Sequence, residues 1–90
     1  MINAEEIKKN ISEAIKYSNQ TQKEIAKKIG LSQQIVSSYL NREKLPAIET
    51  LANLCVALDL DANEILCITN EQKRLIINQN HNTGIINNNF

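Results

Sequence analysis

The sequence predicts an all-α fold of five short helices, and three observations carry that expectation. Apolar residues recur at helical spacing, as in Ile7, Ile11, Ala14 and Ile15, which lays one face of a helix on a core. Helix-start chemistry also recurs, because Asn3 with Glu6, Thr21 with Glu24 and Asp61 with Glu64 each set a capping side chain three residues ahead of an acid. Finally, Gly30 and the single proline, Pro46, fall between apolar stripes, where one helix should stop or the next begin.

Taken in order, Asn3 opens the first helix, which is expected to end near Ser18 with Asn19 in the left-handed conformation of a C-cap. Thr21 begins the second, and Glu24 closes a capping box over it. Ile25 and Ala26 then set an apolar and a small residue side by side, so that a following helix can cross close over them, and Ile29 completes the inner stripe. Gly30 suits a tight turn that needs φ > 0. Leu31 is expected to plug that turn, Ser32 to cap the third helix through its hydroxyl, and Val36 with Tyr39 to return to the same core. Two short helices joined in this register have the form of a helix-turn-helix.

At about 100° per residue, Val36, Tyr39 and Leu40 share one side of the third helix, whereas Gln34, Ser37, Ser38 and Asn41 share the other. The second side is polar and uncharged. A glutamine or asparagine amide carries both a donor and an acceptor and can pair with N6 and N7 of adenine. The polar face of a surface helix is by itself simply solvated; the preceding helix, the glycine turn and the cap favour base reading here. Ile35 lies at the edge of the core side, where rim packing beside Tyr39 competes with contact to a thymine methyl.

Beyond Asn41 runs a polar loop whose Arg42 and Lys44 reach outward, as side chains that touch a phosphate backbone do. Pro46 is expected in the first turn of a fourth helix whose buried stripe is Ile48, Leu51, Leu54, Cys55 and Leu58. A break over residues 59–61 leads to a short fifth helix with Ile65 and Leu66 turned inward.

The formal net charge is zero, but residues 8–44 hold eight basic side chains against three acids, while residues 45–90 hold two against five. A positive half carrying the helix-turn-helix is the arrangement phosphate binding uses. The free N–H groups at the start of the second helix suit an anion too, so Thr21 and Gln22 either cap only or cap and bind phosphate. Lys23 and Ser32 belong with Arg42 and Lys44 in that phosphate set. Cys55 and Cys67 lack a CxxC spacing and sit among apolar residues, so both are expected reduced and near the core. No metal, cofactor or catalytic role is expected: there is no phosphate loop, no ligand cluster and one histidine, His81. With no run of eighteen apolar residues and no signal peptide, a soluble, cytoplasmic protein is expected.

Residues 5–67 resemble the phage repressor and Cro type of helix-turn-helix domain, the xenobiotic-response-element family of bacterial regulators. The residues that carry the likeness are Thr21-Gln22, Glu24-Ile25-Ala26 and Gly30-Leu31-Ser32, then Pro46, Leu51, Leu54, Ala57-Leu58 and Ile65-Leu66. That resemblance implies a five-helix, lambda-repressor-like domain over residues 1–68 that binds double-stranded operator DNA as a homodimer. It implies the third helix, residues 32–40, in the major groove, Gln33 and Gln34 at base edges with Ser37 and Ser38 one turn deeper, and Gln22 on phosphate. Repression by occlusion of a two-fold symmetric site is the simplest outcome.

Three departures from the family pattern stand out. Ile15 and Leu40 occupy positions where members often carry an ion pair, and such a swap is often neutral or stabilising. Arg42 replaces a common glycine after the third helix, so Asn41 is expected to take the left-handed cap, and Ala47 replaces a serine that would cap the fourth helix.

Residues 69–90 change character: asparagine-rich, with apolar runs at residues 75–77 and 85–86 flanking a turn over residues 81–84. A β-hairpin dimerisation arm and a flexible tail are both open. A rival to the operator-binding regulator is an antitoxin-type interaction module, whose extension over residues 69–90 would fold on a partner protein.

Overall fold

A computed structural model describes residues 1–68, and the hairpin, arm, tail and partner-protein expectations for residues 69–90 lie outside them. Five helices follow in order among the described residues: α1 (Ala4–Lys16), α2 (Gln22–Ile29), α3 (Gln33–Leu40), α4 (Ile48–Leu58) and α5 (Ala62–Ile65), with no strand. No helix among these residues is long and apolar enough to cross a membrane.

The starts of α1, α2, α3 and α5 are made by the residues expected. The Asn3 side chain accepts from the Glu6 amide at 2.9 Å. At α2 the box is complete, with Thr21 Oγ1 accepting from the Glu24 amide at 3.0 Å and the Thr21 amide donating to Glu24 Oε1 at 2.8 Å. Ser32 Oγ accepts from the Ile35 amide at 3.2 Å and Asp61 from the Asn63 amide at 2.9 Å. Only α4 begins without a side-chain cap, at Ala47.

The core is Ile11, Ile15, Ile25, Ala26, Ile29, Val36, Tyr39, Leu54 and Ile65, with Ile25 and Val36 fully shielded. Ile25 and Ala26 form the floor over which α3 crosses; α1 packs on α3 and α5, and α2 packs on α3 and α4. Leu51, Ala57, Leu58 and Leu60 close the α4 side. Ile15 is buried and Leu40 packs against the same cluster, so both positions that often hold an ion pair are filled with apolar packing.

Several expectations are corrected. Helix α1 stops at Lys16 rather than Ser18, although Asn19 is left-handed at φ 62°. Pro46 lies outside α4, which starts at Ile48, and Leu66 caps α5 instead of lying within it. Ile48 is 84% exposed and does not belong to the buried stripe: at about 100° per residue it lies roughly a quarter turn from the centre of Leu51, Leu54 and Leu58, toward Ala52 and Val56. Leu31 is also exposed and does not plug the turn; its amide does, donating to the Ala26 carbonyl at 3.0 Å.

The left-handed residue after α3 is Arg42, at φ 61°, and not Asn41, at φ −85°. The reason lies in the hydrogen bonds that end the helix. Glu43 donates its amide to the Ser38 carbonyl at 2.9 Å and Arg42 its amide to the Tyr39 carbonyl at 3.1 Å, a paired closure that demands positive φ one residue after the C-cap. Asp59, at φ 56°, ends α4 the same way, with the Leu60 amide reaching the Cys55 carbonyl at 2.8 Å.

Candidate nucleic-acid interface

The α2–turn–α3 unit holds its outer helix by two kinds of contact. Val36 and Tyr39 sink into the core, and Ser12 of α1, 2% exposed, donates its hydroxyl to the Leu40 carbonyl at 2.6 Å. That carbonyl lies in the last turn of α3, where no intrahelical donor remains. Helix α3 is therefore pinned at its C-terminal end from α1 and along its inner face from α2.

On the outer face Gln33, Gln34 and Asn41 are exposed and Ser37 and Ser38 half-buried. Ser38 Oγ donates to the Ile35 carbonyl at 2.6 Å, which commits its proton within the helix and leaves its oxygen as an acceptor. Ile35 is half-buried and packed against the core, as expected of a rim residue.

Lys16, Gln20, Thr21, Gln22, Leu40 and Asn41 line one open groove of about 450 Å³ between the end of α1, the start of α2 and the end of α3. Two residues expected to touch phosphate and one expected to touch bases thus share a surface. The Thr21 amide and hydroxyl and the Glu24 amide are taken by the capping box, so the amides of Gln22 and Lys23 remain for a ligand there. Hydrogen bonding from Thr21 to the carboxyl, first from its backbone amide and then from its side chain, holds Glu24 below its usual range. Arg42 and Lys44 are exposed directly after α3, and Lys23 and Ser32 are exposed at the starts of α2 and α3. These positions put exposed cationic side chains at the start of α2 and directly after α3.

Ser12 and Gln20 were not singled out by the sequence. Gln20 accepts from Lys28 Nζ at 2.7 Å and donates to the Ala57 carbonyl at 3.5 Å, tying the α1–α2 loop to α4. Polar residues beside an apolar stripe carry no periodic signal of their own. Cys55 and Cys67 are both half-buried and unbridged. Burial, aided by the negative charge of Asp61, pushes the Cys55 thiol up, while Cys67 Sγ accepts from the Asn10 amide group at 3.2 Å.

A polar, uncharged helix face mounted on a capped helix and a left-handed glycine turn defines a DNA-binding helix-turn-helix domain. Residues 10–65 match the sequence model of that helix-turn-helix family, more than half of the chain, and the protein belongs to the Cro and phage-repressor type of this family, the xenobiotic-response-element regulators. At that level it is a DNA-binding transcription regulator. No curated protein and no solved structure gave a match.

Proposed function

We propose that the protein is a repressor that binds a two-fold symmetric operator as a homodimer, with α3 in the major groove of each half-site. The observation that carries this reading is the exposed, uncharged face of α3, whose end at Asn41 shares a groove with Thr21 and Gln22 at the start of α2 and leads into Arg42 and Lys44. Gln33 and Gln34 then read base edges, with Ser37 and Ser38 one turn deeper, Asn41 a further turn on and Ile35 at the margin. Thr21, Gln22, Lys23, Ser32, Arg42 and Lys44 hold phosphates, which fixes register without carrying sequence information. Half-sites lie about 34 Å apart, one turn of B-DNA. Residues 1–68 make up the DNA-binding unit and residues 69–90 an extension to it, and occlusion of a promoter is the mode of action.

Selection from random oligonucleotides at moderate salt tests this reading. An enriched inverted repeat, bound at least about a thousandfold more tightly than a scrambled control, is the expected result. An enriched sequence without two-fold symmetry, or no enrichment, overturns it.

A further inference from the structure

Among the described residues the largest apolar groups left in water on a helix lie on α4. Ile48 and Val56 are each 84% exposed, and Ala52, also exposed, lies midway between them at i, i+4 and i+8. At about 100° per residue the three form one ridge, centred on Ala52, on the side of α4 turned away from the core residues Leu54 and Leu58. Leu45, in the preceding loop, is 41% exposed. Neither the core nor the DNA-reading face uses this ridge.

We propose that two copies of the chain meet on this ridge, α4 against α4 in antiparallel sense, with a two-fold axis at Ala52. The proposal rests on the homodimer reading above and names its surface. Two features of the ridge fit a second copy. Its pattern is self-complementary: the small residue sits at the centre with one β-branched residue four positions to either side, so the axis sets each Ile48 against the partner's Val56 and lets the backbones approach at Ala52. Such reciprocity is what a two-fold interface requires. The second feature is charge. Glu49 and Lys28 flank the same side of the ridge at opposite ends, Glu49 beside Ile48 on α4 and Lys28 in the groove it shares with Asn53, Val56 and Ala57. A two-fold axis perpendicular to the helices keeps each flank on its own side and reverses its ends, which brings Lys28 against the partner's Glu49. A parallel arrangement would keep the ends and exchange the sides, leaving Lys28 and the partner's Glu49 on opposite flanks and at opposite ends.

One short helix per copy supplies less than the roughly 800 Å² per partner of a standard interface, so a dimer of micromolar strength is expected. Sedimentation of the full chain over a concentration series tests the proposal with four variants: Val56→Lys, Lys28→Glu, Glu49→Lys and the double reversal. Circular dichroism should be unchanged by Val56→Lys, since its side chain leaves the core untouched. The expected result is a wild-type dimer weakened at least about tenfold by Val56→Lys, weakened by each single reversal and restored by the two together. A dimer indifferent to Val56→Lys overturns the α4 surface and leaves the homodimer reading standing. A wild-type chain that stays monomeric at every concentration and binds its selected site as a single copy overturns both.

Discussion

The hydroxyl of Ser12 donates a 2.6 Å hydrogen bond to the main-chain carbonyl of Leu40, joining the first helix to the last residue of the third. Ser12 is the one buried polar side chain among the described residues. An acceptor left without its donor there costs about 1–3 kcal/mol. Ser12→Ala should lower the stability by that amount in urea titration, and amide exchange in the last turn of α3 should rise more than in α2. Uniform acceleration across all helices would mean that Ser12 stabilises the fold without positioning α3.

Gly30 is held by backbone conformation alone. Its φ is 72°, and a Cβ built there meets nothing within 4 Å. Gly30→Ala is therefore expected to cost about 1–2 kcal/mol from the left-handed strain of an L-residue, with no steric addition. Gly30→Asn should cost less, because asparagine tolerates this region. Thermal unfolding of the pair gives the answer, and equal losses would count against the conformational account.

Arg42 presents the opposite case, a charged residue where glycine would relax the backbone. Arg42→Gly should raise stability by about 1 kcal/mol while weakening DNA of every sequence alike and lowering the salt slope by about 1. Lys44→Ala should share the second effect without the first. Melting curves and salt-dependent titrations separate the two roles.

On the reading face the expected signature differs. Gln34→Ala should relax preference at one base pair per half-site, a loss of about 1–3 kcal/mol of discrimination, with the salt slope unchanged. Repeating the oligonucleotide selection with the variant measures this directly, and an unaltered preferred sequence would show that Gln34 does not read bases.

The capping box at α2 gives a pH dependence. Glu24 has its folded pKa lowered by the bonds to Thr21, so its contribution is present above the unfolded carboxylate value, about 4.3, and is lost as pH falls through the lower folded value. Compared with Glu24→Gln, which does not titrate, wild type should lose stability on acidification through that window and run parallel to the variant at neutral pH. Parallel curves throughout would mean that the box does not depend on charge.

Much of this was legible in the sequence because its signals are local. A capping side chain finds an amide two or three residues away, so Asn3, Thr21, Ser32 and Asp61 announce their helices without knowledge of anything distant. Helical spacing likewise exposes the inward residues Ile11, Ile15, Ile25, Val36, Tyr39 and Leu54, and with them the outward face of α3. Spacing fails at the margin of a stripe: Ile48 lies about a quarter turn from the centre of Leu51, Leu54 and Leu58, and nothing lies over it.

Residue order by itself determined the five helices, the glycine turn and which face of α3 points outward, since each depends on groups within a few positions of one another. Only the tertiary structure decided that Ser12 holds the end of α3 and that Ile48 and Val56 stand in water. Those outcomes follow from which carbonyl lacks a donor and which side chain lacks a neighbour once the helices have packed, and neither is a property of any short stretch of sequence.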